Sequence, residues 1–384
     1  KDNIYLIGIG GIGMSALARY FKSIGKNVAG YDKVQTPLCI LLENEGMAIH
    51  YEDSVEAIPT AFKDSKNTAI IFTPAIPVEM TELEYFKNNG FELMKRALVL
   101  GKISQNHTCL AVAGTHGKTT TSALLAHLFK QAGHNITAFL GGISSNYQTN
   151  FLAGDENGIL VAEADEYDRS FLQLKPAGAI ITSVDSDHLD IYGEPEALQA
   201  TFREFRESVT EKAVVQKDTE LKGTSYSIDG DSDYVATHVR IENHSYTFDL
   251  KLPTGEIIED IKCGLPGRHN VENAAAAAAL GLNFGLTAEE VKEGINSFKG
   301  VKRRFEYHIK SEKLVYIDDY AHHPAEINAL VSSVKELYPD KKITGIFQPH
   351  LFSRTRDFKD GFVEALSQLD EVILMNIYPA REKP

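Results

Sequence analysis

The stretch Cys109-Leu110-Ala111-Val112-Ala113-Gly114-Thr115-His116-Gly117-Lys118-Thr119-Thr120-Thr121 decides how this chain of 384 residues is built. Cys109 to Ala113 is an apolar run of strand length, Gly114 to Lys118 is a turn, and Thr119 to Ala132 reads as a helix. Strand, glycine turn and helix N-terminus in that order make a cradle for phosphate. Successive backbone N–H groups meet the oxygens, Lys118 adds a point charge, and the Thr119 hydroxyl suits magnesium. The pattern departs from the usual G-x-x-x-x-G-K-[ST], because its first position falls on Val112 and the glycine stands at 114.

Outward from this turn, the chain alternates between strand-like and helix-like runs. Ile4 to Ile9 is a strand, Gly10-Gly11-Ile12-Gly13 a turn, and Met14 to Ile24 a helix with Leu17, Phe21 and Ile24 on one face. Asn27 to Tyr31 is a second strand ending at Asp32; Ala69 to Phe72 is another, followed by a helix from Glu79 to Asn89. Beyond the phosphate turn, strands are read at 158–162 and 179–182, and an antiparallel flank over 224–262 with a turn at Pro253-Thr254-Gly255. Strands at 314–317, 343–347 and 372–375 surround a helix from Ala325 to Leu337. The rhythm predicts an α/β protein with parallel sheets in three domains, 1–104, 105–300 and 301–384. Because Lys1 is not an initiator methionine and the chain stops just after a strand, a trimmed chain with an incomplete third domain is expected.

Composition narrows the class. Hydrophobic residues at 43% and charged residues at 24% are ordinary for a globular protein, which argues against disorder and fibrous repeats. No apolar run is long enough to span a membrane, so no membrane association is expected. Cys39, Cys109 and Cys263 are too scattered for a disulfide framework or a metal cluster, which fits a reducing cytoplasm. A net charge of −14 disfavours nucleic acid as a partner. The last 84 residues hold 13 basic and 13 acidic side chains, so the negative charge resides in residues 1–300. The third segment is thus a possible source of cations for an anionic site.

Gly8-Ile9-Gly10-Gly11-Ile12-Gly13 fits G-x-G-x-x-G between strand and helix, with Asp32 at the end of the next strand. It accommodates a dinucleotide or a nucleotide-sugar diphosphate and does not choose between them. Glu163-Ala164-Asp165-Glu166 and Asp185-Ser186-Asp187-His188-Leu189-Asp190 follow strands, where open α/β sheets bind ligands. Beside a phosphate loop they are candidate ligands for a hard cation, His188 being the less usual donor; alone they would be solvated loops. In Arg268-His269-Asn270-Val271-Glu272-Asn273, Asn270 could pair with a base or cap the following helix. The last segment supplies Arg303-Arg304, Asp318-Asp319-Tyr320-Ala321-His322-His323-Pro324 and His350 to Arg356, whose arginine forks suit carboxylate and phosphate. The adjacent histidines lack zinc spacing.

In this ordered series the chain resembles the Mur ligase family. Gly8 to Ala16, Ala113 to Thr121, Glu163 to Asp168, Asp187 to Asp190, Arg268 to Asn273, Asp318 to Pro324 and Phe347 to Asp357 match its motifs in order, over essentially the whole chain. The resemblance implies a Rossmann-like N-terminal domain for a UDP-sugar, a central P-loop ATPase domain and a C-terminal Rossmann-like domain that closes over both. It is strongest toward the branch that joins L-alanine to the lactyl carboxylate of UDP-N-acetylmuramic acid, as a cytoplasmic monomer or homodimer. Gly10, Gly11, Ile12, Gly13, Met14 and Asp32 would then face the UDP-sugar. Gly114, Thr115, His116, Gly117, Lys118, Thr119 and Thr120 would hold the ATP phosphates, with Asn270 and Asn273 at adenine, and Arg304, Asp318 and Asp319 around the nucleotide, an aspartate near the ribose. Thr119, Glu163 and His188 would bind Mg2+, and His322 and Arg354 would lie by the incoming amino acid. Some relatives carry an arginine where this chain has Leu351, and the family continues past Tyr378 to Pro384.

That assignment makes chemical sense. A carboxylate acylates an amine only after its oxygen becomes a leaving group, and attack on ATP provides an acyl phosphate. Phosphoryl transfer needs positioning and charge stabilisation rather than a protein nucleophile. Three rivals compete: a nicotinamide-dependent oxidoreductase, an ATP switch that joins nothing, and a murein tripeptide ligase using the same UDP-sugar. The oxidoreductase leaves the phosphate turn, Glu163 and Asn273 without a role, and Gly10 to Ser15 favours the L-alanine branch over the tripeptide ligase.

Overall fold

The computed structural model describes residues 1–384 except 75, 78, 186–194, 380, 381, 383 and 384. The first sheet is five parallel strands in the order β3-β2-β1-β4-β5. These are β1 (Asn3–Ile7), β2 (Asn27–Tyr31), β3 (Ala48–His50), β4 (Thr68–Phe72) and β5 (Glu92–Lys95). All five residues of β1 are buried, as a central parallel strand covered on both faces requires. The helix Ile12–Ser23 follows it, beginning two residues before the expected Met14.

The second sheet has ten strands, β6 (Thr108–Ala113), β7 (Ile136–Ser144), β8 (Thr149–Leu152), β9 (Ile159–Glu163), β10 (Gly178–Ile181), β11 (Lys212–Gln216), β12 (Thr224–Ile228), β13 (Tyr234–Glu242), β14 (Ser245–Lys251) and β15 (Ile257–Lys262). Their order is β15-β14-β13-β12-β11-β10-β6-β9-β7-β8. From β11 to β7 the pairing is parallel, and β8 closes one edge antiparallel to β7. The antiparallel flank is shorter than expected. β12 pairs parallel with both neighbours, and within this flank the antiparallel pairs are β13 with β14 and β14 with β15, with the Pro253 to Gly255 turn between the last two. Alternating side chains report one buried face; they do not report strand direction.

The helices Lys118–Gln131 and Arg268–Asn283 pack on this sheet and on each other. Ala274 to Ala279 are all fully buried there, and their small side chains let the helices approach closely. The last segment holds the antiparallel pair β16 (Glu306–Lys310) and β17 (Val315–Asp318), and the parallel pair β18 (Thr344–Phe347) and β19 (Glu371–Leu374). The helices Pro324–Leu337 and Lys359–Leu366 pack together there around Ile327, Val331 and Phe362. No helix among the described residues is long and apolar enough to cross a membrane.

Candidate active site

Strand order builds the site. β6 lies between β10 and β9, so the turn that leaves β6 is flanked by Glu163, the last residue of β9, and by Thr182 to Asp185 just beyond β10. The turn itself needs glycine twice. Gly114 has φ +134, and a Cβ there would sit 2.0 Å from Thr182 Oγ1; Gly117 has φ +79 and caps the helix Lys118–Gln131. Thr182 and Ser183 tie the turn down: Thr115 N donates to Ser183 O at 3.2 Å, and His116 N to Ser183 Oγ at 3.0 Å.

Lys118 reaches from the first helical position back across the turn. Its Nζ donates to Gly114 O at 2.6 Å and lies 2.8 Å from Glu166 Oε2, whose side chain is fully buried. Burial alone would pull the ammonium down. Glu166, Glu163 and Asp165 outweigh it and hold Lys118 above its usual range. Glu163 is raised by burial against the opposing pull of Lys118 and a hydrogen bond with Thr119. Its Oε2 is buried and makes no hydrogen bond among the described residues, and the absence of a side chain at Gly141 gives the carboxylate its room. A hydroxyl and a buried carboxylate with a spare oxygen form a hard-oxygen pair that suits magnesium. His188, together with Asp187 and Asp190, lies outside the described residues.

Asn273 also faces the turn, since a Cβ on Gly117 would lie 2.7 Å from its Oδ1. Its Nδ2 donates to Asn270 Oδ1 at 3.3 Å, and Asn270 donates to Pro266 O at 2.6 Å. The helix is capped by Gly267, at φ +104, so Asn270 sits in its first turn and not at the cap. Next to these residues lies a polar cavity of about 410 Å³ bordered by Thr182, Ser183, Arg203, Gln216 and Glu272.

From the last segment, His322 and Glu326 come into this neighbourhood. Glu326 Oε1 is 3.5 Å from His116 Nδ1, and its Oε2 accepts from His322 N at 2.9 Å. His322 Nδ1 lies 2.9 Å from Tyr320 O, and its ring is 6.4 Å from that of His350. Burial lowers the His322 imidazole; Glu326 opposes that, while Arg354 and Arg304 add to it. Arg303 and Arg304 both lie over the Tyr320 ring, at 5.0 and 5.4 Å. The two aspartates diverge. Asp319 accepts the Phe305 and Ala321 amides, each at 2.7 Å, whereas Asp318 faces Arg303 and His308 on the hairpin.

At the first glycine turn, a cavity of about 550 Å³ is bordered by Gly10, Gly11, Tyr31, Asp32, Asp53 and Thr73. Asp32 Oδ2 accepts from Gly10 N at 2.8 Å, so the acid shapes the turn. Ile12, Gly13 and Met14 open the helix behind it. Two residues with no role expected from the sequence, Arg96 and Glu326, belong to these sites, and Glu166, expected as a cation ligand, pairs with Lys118 instead. Arg96 lies against Gly13, its Nη1 3.0 Å from where a Cβ would stand, and pairs with Asp165 at 3.6 Å. Glu166 holds Lys118, and Glu326 bridges two histidines. Glu166 stood within a quoted acidic cluster and Glu326 two residues past a quoted motif, while Arg96 carries no signal in the sequence, since it is more than 80 positions from Gly13.

The chain matches the Mur ligase catalytic domain over residues 3–108, the Mur ligase middle domain over 112–281, and the Mur ligase glutamate ligase domain over 303–384. The UDP-N-acetylmuramate–L-alanine ligase of Flavobacterium johnsoniae is 53% identical over 385 aligned positions, covering 100% of this chain and 85% of that protein. The chain belongs to the Mur ligase family. Among solved structures, UDP-N-acetylmuramate-alanine ligase from Thermotoga maritima matches with a TM-score of 0.84 at 29% identity, over 98% of this chain and 85% of that one. The UDP-N-acetylmuramate:L-alanyl-γ-D-glutamyl-meso-diaminopimelate ligase from Neisseria meningitides matches with a TM-score of 0.69 at 27% identity, over 79% of this Mur ligase and 99% of that chain.

Proposed function

We propose that this Mur ligase joins L-alanine to the lactyl carboxylate of UDP-N-acetylmuramic acid in peptidoglycan precursor synthesis, converting ATP to ADP and phosphate. The observation that carries the reading is the constellation of half-buried Lys118 and Glu163 with the fully buried Glu166 at the phosphate turn, in a chain alike to the Flavobacterium ligase along its whole length. The tripeptide ligase is the weaker reading, with the Neisseria enzyme at 27% identity against 53%.

In this reading the 550 Å³ cavity takes the UDP-sugar, held by Gly10 and Gly11 and bounded by Asp32, with Ile12, Gly13 and the buried Met14 opening the helix behind it. ATP lies on Gly114 to Thr120, with Asn270 and Asn273 toward adenine and Arg304, Asp318 and Asp319 toward the nucleotide. Thr119 and Glu163, with His188, would hold magnesium, which when bound offsets charge developing on phosphate oxygens. Lys118 is kept cationic by its carboxylates, so it can stabilise the γ-phosphate as the sugar carboxylate attacks it. One such preorganised donor is typically worth ~3–4 kcal/mol of barrier. Arg354 would orient the L-alanine carboxylate. With Nδ1 engaged by Tyr320 O, His322 offers Nε2 to the amine, and its lowered basicity keeps the ring neutral enough to accept a proton near pH 7.

The test is phosphate release from ATP and magnesium with UDP-N-acetylmuramic acid and L-alanine added singly and then together. Release should require both, and the product should have the mass of UDP-muramoyl-alanine. Release indifferent to sugar and amino acid would leave an ATP switch; release with a tripeptide but not L-alanine would assign the recycling enzyme.

A further inference from the structure

Glu326 stands where two parts of the chain meet. It is the third residue of the helix Pro324–Leu337, with His323 at the cap and Pro324 at the first position. One oxygen faces His116 Nδ1 of the phosphate turn at 3.5 Å. The other accepts from His322 N at 2.9 Å and lies 3.3 Å from His322 Nδ1. The side chain is 18% exposed, and the His116 and His323 rings are 5.4 Å apart, so the contact is a packed one. His116 is itself fixed at its backbone by Ser183. A carboxylate between two imidazoles, one from each part, cannot be satisfied by either part alone.

We infer that Glu326 is a positioning residue that clasps the last segment onto the phosphate turn, holding His116 and His322 in one arrangement so that the amine is presented where the acyl phosphate forms. Domain closure of this kind commits the substrate and excludes water. The inference rests on the ligase reading for its kinetic half and on geometry alone for its structural half. The competing role is local: a glutamate at the third helical position commonly accepts a backbone N–H at the helix start. Glu326→Gln separates the two, because its amide oxygen can still accept from His322 N while the charge toward both rings is gone.

In the full-length protein, Glu326→Gln should lower kcat at least 20-fold while the equilibrium Kd for ATP moves less than threefold. Glu326→Asp should recover part of the loss. Glu326→Gln combined with His116→Ala should be no slower than the slower single variant, since both break one clasp. A second readout needs no turnover. Cys39, Cys109 and Cys263 are buried, so spin labels on Thr254→Cys and Lys359→Cys, both exposed, report the separation of the two parts selectively. Glu326→Gln should broaden that distance distribution. A kcat within threefold of wild type, multiplicative losses in the double variant, or an unchanged distribution would each overturn the clasp. A wild-type protein that shows no alanine-dependent ADP formation defeats the ligase reading instead, and the label distances then decide the clasp by themselves.

Discussion

A half-buried lysine facing a fully buried carboxylate is a preorganised pair, and Lys118 with Glu166 is one, 2.8 Å apart. In the proposed reading, removing the lysine costs twice: the γ-phosphate would lose its cation, and Glu166 would lose the charge that offset its desolvation. Lys118→Ala should therefore lower kcat by at least ~10²-fold and destabilise the fold by about 3 kcal/mol. Adding Glu166→Gln should return most of the stability and none of the activity. Urea melts beside turnover check this, and stability that stays lost in the double variant would show that Glu166 is not what the lysine neutralises. Lys118 was legible in the sequence because the phosphate turn is a contiguous pattern with a mechanism. Its pairing with Glu166, 48 residues away, was not, because spacing reports neighbours along a strand or helix and not across a sheet. Asn270 failed as a cap for a related reason: Gly267 caps the helix three residues early, and its positive φ is invisible to side-chain preference.

Elements were read well where hydrophobic period and turn chemistry agree, as in the parallel strands around β6. What joins them was missed. The buried Asn150 on β8 donates to Ile12 O at 2.6 Å and to Ser15 Oγ at 2.9 Å, and its carbonyl accepts from Arg19, which also pairs with Glu45. The helix that opens the first glycine turn is thereby anchored to the central sheet. In the sequence Asn150 is one polar residue in a polar turn, with partners more than 130 positions away. Asn150→Ala leaves buried groups without their bonds and should cost about 2 kcal/mol. Because it loosens the turn proposed for the UDP-sugar and not the phosphate turn, it should weaken UDP-N-acetylmuramic acid several-fold and leave ATP affinity within twofold. Calorimetric titration of both ligands checks this; equal losses would mean that the anchor is merely structural.

For the molecule as a whole, two buried groups place opposite demands on pH. His127, between Tyr147 OH at 2.8 Å and Ser297 Oγ at 2.9 Å, is pushed down to about 4 by burial. Its unfolded value is near 6.5, so the stability it gives is present above that pH and is lost on acidification toward 4. Glu82 is fully buried in the first sheet's core, accepting from Tyr5 OH at 2.6 Å, and burial raises it from 4.5 to about 7. Here the protonated form is favoured in the fold, so stability falls as pH rises from 4.5 to 7. Between pH 4.5 and 6.5 the two slopes oppose each other, at up to ~1.4 kcal/mol per pH unit each. Glu82→Gln removes one of them. Relative to wild type, its stability should fall more steeply on acidification across that window, and at pH 8 it should be the more stable protein, because no charge is then buried beside Tyr5. Urea unfolding at pH 5, 6, 7 and 8 measures the difference directly. Parallel profiles would mean that Glu82 keeps its charge in the folded protein, with the nearby His50, 3.5 Å away, protonated to match it.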